Sequence, residues 1–405
     1  MAAPLETRFS HRLWLPVLLA LPVIGLAAGP LYAALVFGLG GVVALDAGLS
    51  NRTLPAIDRH LGLLALAFAA LSTVGVLWSV APGHTAGAAR QLSLILAAAL
   101  IVLGIPLPGT ERCRTLVRWL AWAVGLGVCL LCLDSTLGFR LQGLAGHDGT
   151  KYSRGLNYLV LIVWPLLAQA VADRDRRRAI LLAVLITLAV EFGISTTGAL
   201  ALLTGAAVLI LAARLRRATA PWLFGAVALV VTLLPALLRL AATSRQALEP
   251  YLKTSGFHRL EIWDYMSARI LERPLLGWGL GGATAVPIRP EELAGYRWVA
   301  PGGIYPHNQW LELWLETGAL GVALALGFLA LVLWRIRQAL PAALQPFAYA
   351  ACGSALTISW LNFEITTDSW WAALAASALL FRLVSALQPQ PRPPAPQGHR
   401  GSSAS

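Results

Sequence analysis

Gly198-Ala-Leu-Ala-Leu-Leu-Thr-Gly-Ala-Ala-Val-Leu-Ile-Leu-Ala-Ala213 is a run of 16 residues without a charged side chain, and its reading decides the fold. A helix of this composition is apolar on every side rather than along one stripe, so it needs an apolar environment all round. Runs of the same kind recur on both sides of it. We place spans at 13–28, 31–46, 61–80, 91–106, 116–137, 156–172, 179–194, 198–213, 221–241, 308–334, 343–362 and 367–385. Several are shorter than the roughly 20 residues that a crossing prefers, so flanking loop residues must extend the helices. The expected architecture is all-α and polytopic, with about 12 transmembrane helices.

Composition agrees with that rhythm. Of 405 residues, 58% are hydrophobic and 12% charged, with a mean hydropathy of +0.69. Soluble domains carry about a quarter charged residues, so a water-soluble class is excluded. The net charge of +12 is scattered over many short loops instead of one basic stripe, which speaks against nucleic acid and for membrane orientation. With the N-terminus inside, the inner segments hold Arg8, Arg12, Arg52, Arg59, Arg112, Arg114, Arg118, the Arg174–Arg178 cluster, Arg214, Arg216, Arg217, Arg335, Arg337, Arg382, Arg392 and Arg400. The short outward loops hold Arg90, Arg140, Lys151 and Arg154. Both termini are therefore expected in the cytoplasm.

The first run follows Arg8 and Arg12 and imitates a signal peptide, but further spans follow at once, so we read it as a retained helix. Cys129 and Cys132 lie one helical turn apart without a histidine or carboxylate to complete a metal set; with Cys113 and Cys352 they read as packing residues. No internal repeat is evident, which weakens a transporter reading. The resulting organisation is 1–241 (spans one to nine), 242–307 (one large outward loop with short helices), 308–387 (spans ten to twelve) and a disordered cytoplasmic tail, 388–405, rich in Pro, Gln, Gly and Ser.

Segment 242–307 is the anomaly. In His258-Arg-Leu-Glu-Ile-Trp-Asp-Tyr-Met-Ser-Ala-Arg-Ile-Leu271, Leu260, Trp263, Met266 and Ile270 recur at helical spacing, predicting an amphipathic helix on the membrane surface. Pro274 ends it. Gly277, Gly279, Gly281 and Gly282 follow, permitting either a compact loop or a close approach of backbone to ligand. Tyr305-Pro306-His307-Asn308-Gln309-Trp310 then leads into span ten, with Pro306 disfavouring helix before it. His307 falls near a helix N-terminus, where the dipole favours neutral imidazole, a proton acceptor. Capping or packing is the plainer role for such a histidine.

Taken together, Arg259-Leu-Glu-Ile-Trp263, Arg273-Pro-Leu-Leu-Gly277-Trp-Gly279 and His307-Asn308 with Gly318 and Gly321 resemble the O-antigen ligase and polymerase superfamily of bacterial lipid-linked glycan transferases. The resemblance implies a C-type glycosyltransferase-like membrane fold with the active site on the periplasmic face of the inner membrane. It implies transfer of a glycan from undecaprenyl pyrophosphate to a hydroxyl of lipid A core, or to a growing glycan in a polymerase, with no metal and no cofactor. It also implies that Arg259 contacts the donor pyrophosphate and His307 acts on the acceptor hydroxyl. Members show a Thr/Ser-Arg-Gly-Ala segment near the start of span eight, where this chain reads Ser195-Thr196-Thr197-Gly198-Ala199. Arg154 or Arg245 is expected to supply the missing charge.

Arginine suits such a site because its guanidinium stays protonated and holds two phosphate oxygens at once. We take His307 and Arg259 as catalytic, and Arg154, Asn308, Arg245, Glu191 and Arg273 as substrate-binding. Each has a plainer alternative: Arg259 reaching lipid phosphates, Arg154 serving only as a loop charge. Glu191 is expected to face the bundle interior, since a lipid-facing carboxylate is costly. Glu261 and Asp264 read as acids, bases or solvated helix-face residues, and Trp263, Trp278, Trp298 and Trp310 as interfacial anchors. A ligase is the leading reading, a polymerase the second, a non-enzymatic transporter or flippase the third. The sequence leaves the oligomeric state open.

Overall fold

The computed structural model describes residues 9–27, 29–51, 54–140, 151–244, 247, 254–288, 291, 296, 297, 299 and 305–389. Among these the regular elements are all helical. We label them α1 (Phe9–Ala27), α2 (Gly29–Asn51), α3 (Arg59–Val74), α4 (Pro82–Gly104), α5 (Thr110–Thr136), α6 (Lys151–Ala172), α7 (Arg176–Phe192), α8 (Thr196–Leu215), α9 (Thr219–Thr243), α10 (Thr254–Glu272), α11 (Gln309–Ala339), α12 (Gln345–Leu361) and α13 (Asp368–Ser385). Each apolar run of the sequence falls on a helix other than α10. Seven stretches are long and apolar enough to cross a membrane: Gly29–Ser50, Arg59–Leu77, Pro82–Gly104, Thr110–Thr136, Tyr152–Ala172, Thr196–Thr243 and Gln309–Ala339. The protein is an all-helical, multi-pass membrane protein.

Long-range ties sort to two ends of the bundle, as an alternating path produces. At one end, Arg335 pairs with Asp58, the Arg382 guanidinium donates to the Leu103 and Ile105 carbonyls, and Arg178 reaches Val117 O at 3.5 Å. At the other, Ser135 Oγ donates to Phe192 O at 2.9 Å, Tyr158 OH to Ser369 Oγ at 2.7 Å, and Gln91 Nε2 to Thr366 O at 3.0 Å. Polar groups gather where the helices end because the shafts offer them no water. The shaft of α6 is part of the larger core, with every residue from 155 to 166 buried.

The helix in the large loop departs from its expected surface role. α10 is clasped against α9 and α11, burying Leu260, Ile262, Tyr265, Met266 and Ile270 together with Glu261, Asp264 and Arg269. Each buried charge has a partner: Arg239 Nη1 lies 2.6 Å from Asp264, Tyr296 OH donates to the same carboxylate at 2.8 Å, Arg297 N donates to Glu261 at 2.9 Å, and Arg269 pairs with Glu272 at 2.8 Å. Glu261 and Asp264 are thus buried and engaged with protein rather than solvated. Periodicity showed one apolar face but could not show that protein covers the polar face too.

Three of the tryptophans are tied into the protein by their indole N–H groups. Trp263 Nε1 donates to Pro306 O at 2.6 Å, Trp278 Nε1 to Arg269 O at 3.0 Å and Trp310 Nε1 to Ser359 Oγ at 3.1 Å. Trp298 and most of the 388–405 tail lie outside the described residues.

Span ten is not one continuous helix. α11 breaks at Gly318 (φ 61°, ψ −160°), and segment 274–279 plugs the break. Trp278 N and Gly279 N donate to Leu315 O and Glu316 O, both at 2.9 Å, while Ala319 N and Leu320 N donate to Pro274 O and Leu275 O at 2.8 and 3.3 Å. The carbonyls and amides freed by the break are therefore satisfied by the loop. Gly277 makes the fit possible: its φ is +66° and a Cβ there would stand 2.5 Å from the Glu316 backbone. At Gly277 the Gly-rich turn serves close approach of two backbones, as the compact-loop reading expects.

Gly277→Ala should therefore lower stability by about 2 kcal/mol or more, combining a left-handed residue with overpacking. Gly225→Ala, in α9 with open space at the Cβ position, should be neutral or slightly stabilising. Thermal unfolding midpoints of the two variants in detergent check the contrast.

Candidate functional site

At the end of the bundle where α6, α8, α11 and α13 begin, segments far apart in the chain converge. Ser195 caps α8, its Oγ accepting from Gly198 N at 3.1 Å, and lies 3.3 Å from Ser153 Oγ. The start of α6 is thereby set against the start of α8. Arg154 follows Ser153 directly, and Thr197, where the resemblance leads one to expect an arginine, lies two residues beyond Ser195. Tyr152 fixes this turn from the other side, donating to buried Asp134 at 2.6 Å.

The 305–308 segment is built as tightly. Asn308 caps α11, its side-chain oxygen accepting from Trp310 N and Leu311 N at 3.1 and 3.0 Å. Tyr305 OH donates to Asn362 O at 3.1 Å, and Trp263 holds Pro306 O. Between these fixed points His307 adopts φ +50°, a left-handed conformation that costs a non-glycine residue about 1–2 kcal/mol. Its ring meets Tyr305 edge-on, centroids 4.2 Å apart at 82°. Strain of this kind persists only where neighbours over-determine the backbone, and it concentrates at functional sites.

Charge around the imidazole is positive. Burial first, then Arg259, His258 and Arg154, push the His307 pKa down to about 4. The ring is neutral at physiological pH and can accept a hydrogen bond. Burial lowers the Arg259 guanidinium from its ordinary value, opposed by Tyr305, yet an arginine remains charged. Burial raises the Tyr305 phenol, helped by Glu312 and Glu364 and opposed by Arg154 and Arg259. Arg154, Arg259 and His307, from α6, α10 and the α11 entry, thus share one electrostatic site.

A second wall, residues 362–367, was not singled out in the sequence. Phe363 stacks between Tyr158 and Trp370, at centroid separations of 5.8 and 5.0 Å. Ile365 N donates to Glu312 Oε2 at 3.2 Å, and Trp371 Nε1 donates to Ile365 O at 2.7 Å. The wall carries Glu364, whose carboxyl is raised by desolvation and held down by Arg154. Glu312 and Glu316 are also missed: both are buried in α11, and Glu316 Oε1 accepts from Ala283 N at 3.1 Å. Two carboxylates one turn apart inside an apolar run were the available signal.

Other expected residues stand apart from this cluster. Arg273 lies 14 residues beyond Arg259, about 21 Å along α10; its guanidinium donates to Trp78 O at 3.2 Å and sits 4.2 Å over the Trp278 ring. Glu191 does not face the interior: it is exposed at the C-terminal turn of α7. Asn308 spends its amide oxygen on the cap, while its buried Nδ2 has no hydrogen-bond partner among the described residues. Arg245 lies outside the described residues.

Beside this cluster opens a cavity of about 210 Å³, lined by hydrocarbon from Phe68, Leu92, Leu313, Phe328 and Trp371, with Gln309 and Trp310 also on its wall. Those two residues follow His307 and Asn308 directly. An apolar chamber therefore adjoins the charged site.

Comparison with known proteins agrees with the motifs. Residues 181–326 match the family model described as O-Antigen ligase. A Rickettsia felis protein named "Putative polysaccharide ligase" is 26% identical over 226 residues, 54% of this chain and 54% of its own length. One of the same name from Rickettsia bellii is 25% identical over 233 residues, 56% of each chain. "Putative polysaccharide ligase RC0486" of Rickettsia conorii is 30% identical over 128 residues, 30% of this chain and 31% of its own. The chain spans about half the length, or less, of these curated relatives.

The depressed His307 value gives a direct expectation. In protein with isotope-labelled histidine, the His307 ring should remain neutral from pH 8 down to about 5 and protonate near 4. In Arg259→Gln, removal of a neighbouring positive charge should move the midpoint upward, toward the ordinary 6.5. NMR titration in lipid nanodiscs measures both.

Proposed function

From the premise that residues 181–326 belong to the O-antigen ligase family, we propose that this protein transfers a glycan from undecaprenyl pyrophosphate to a sugar hydroxyl of a lipid A core acceptor. The reaction would occur on the periplasmic face of the bacterial inner membrane. One observation carries the reading: Arg154, Arg259 and neutral His307 meet at one end of the bundle, beside an apolar chamber.

The chemistry follows from that arrangement. The acceptor oxygen attacks the anomeric carbon on the face opposite the pyrophosphate, and the carbon–oxygen bond to the leaving group breaks, so a single displacement inverts the configuration. The bonding electrons pass to the pyrophosphate. Arg259 and Arg154 stabilise the charge developing there, and preorganised guanidinium groups in a water-poor cleft are suited to the task. Arg154 takes the place of the arginine absent at Thr197. Neutral His307 accepts a hydrogen bond from the attacking hydroxyl and aims it. The adjoining chamber provides apolar surface for lipid chains of the substrates. A polymerase would use the same donor chemistry on a growing glycan.

Arg259→Ala, Arg154→Ala and His307→Ala should each reduce transfer by about 10²–10³-fold, and Arg154→Lys should retain more activity than Arg154→Ala. Complementation of a strain lacking the gene, read as lipopolysaccharide on a gel, tests this. Loss of all capped chains marks a ligase, and capping by a single repeat marks a polymerase. An unchanged glycan pattern in the Arg259 and His307 variants would overturn the assignment.

A further inference from the structure

Within this site the group that receives the acceptor's proton still has to be identified. His307 aims the hydroxyl well but binds a proton poorly, because burial and the two arginines oppose an imidazolium. A base of such low proton affinity is a weak destination in the transition state. A second proton acceptor stands on the wall formed by residues 362–367, which Tyr305 ties to the His307 segment.

Glu364 has the attributes required. The backbone around it is fixed independently of its carboxylate: Asn362 O receives Tyr305 OH, Phe363 is sandwiched between two rings, and Ile365 is held by Glu312 and Trp371. The Glu364 side chain itself is exposed, and its carboxylate makes no hydrogen bond or ion pair among the described residues. A carboxylate on a rigid wall, open to the cleft and not engaged with protein, is available to substrate. Its field reaches Tyr305, whose ring packs on His307.

We propose that Glu364 is a catalytic residue of this site, accepting the proton of the attacking acceptor hydroxyl while His307 orients that hydroxyl. The inference rests on the glycan-transfer reading above. As the acceptor oxygen bonds to the anomeric carbon, its proton moves to a Glu364 carboxylate oxygen and the pyrophosphate departs with the electron pair of the broken bond. The carboxylic acid then returns the proton to water. Four charged or titratable groups interact electrostatically with Glu364: Arg154 from α6, Tyr305 from the α11 entry, and Glu312 and Glu316 from α11; His307 and Arg259 lie beyond Tyr305. Desolvation raises the carboxyl and Arg154 opposes it. Donor pyrophosphate bound to Arg154 would cancel that opposition, making Glu364 more basic when the donor is in place.

The test uses full-length protein in nanodiscs, an undecaprenyl-pyrophosphate-linked oligosaccharide and a lipid A core acceptor. At pH 7, Glu364→Gln should lower kcat by roughly 10²-fold with KM for both substrates nearly unchanged. The acid limb of the wild-type pH profile, where Glu364 protonates, should vanish in this variant. Glu364→Asp, which keeps the charge, should restore part of the rate, and it decides the matter should the glutamine variant not fold. Wild-type kcat in both variants, a loss confined to KM, or an unaltered acid limb in Glu364→Gln overturns the proposal. Loss of transfer in Arg259→Ala alongside full activity in Glu364→Gln would leave the glycan-transfer reading standing without Glu364. Absence of transfer by the wild-type protein would overturn both.

Discussion

The rest of the structure depends on four backbone hydrogen bonds between segment 274–279 and the interrupted helix α11. Breaking a helix within an apolar bundle exposes carbonyls and amides that neither lipid nor hydrocarbon side chains can satisfy. The loop supplies the missing partners, and in return the break fixes the loop. Because α10 ends where this plug begins, its register and tilt are set from the same point. Arg259 is held at one end of α10 by the lock at the other.

The short first half of α11 becomes a rigid bracket between two otherwise separate parts of the chain. Asn308 starts it, Glu312 grips the 362–367 wall, and Glu316 grips the Gly-rich turn through Ala283 N. Buried carboxylates that bind backbone amides are costly to leave unpaired, which makes them effective clamps. The positive field at His307 and the carboxylate at Glu364 can then coexist across a narrow cleft without collapsing into a direct salt bridge, since their backbones are tied elsewhere.

Much of the architecture was legible in the sequence, for a definite reason. An apolar run of helical length has few alternatives, so the runs located the helices, and Arg259, Arg154 and His307 were identified from motifs and charge placement. The break at Gly318 was hidden, because its compensating partners lie about 40 residues away and a glycine in an apolar helix has no local sign of a kink. Glu364 was hidden because a single carboxylate in a six-residue connection becomes notable only when Arg154, more than 200 positions earlier, is seen beside it. The surface role expected for α10 failed because hydrophobic periodicity records where apolar residues lie, and Glu261, Asp264 and Arg269 find polar partners in α9, in α10 itself and in the loop that follows.

The wall at residues 362–367 has a consequence for the order of biogenesis. Helices entering a bilayer from the N-terminus would assemble Arg154, then Arg259 and His307, before this wall is synthesised. Until the closing helix pair arrives, Phe363 is absent from Tyr158 and Glu312 has no amide to hold. A nascent chain could therefore gather anionic lipid headgroups at its arginines without a completed cleft around them. The late arrival of one short connection postpones completion of the cleft until the whole bundle has closed.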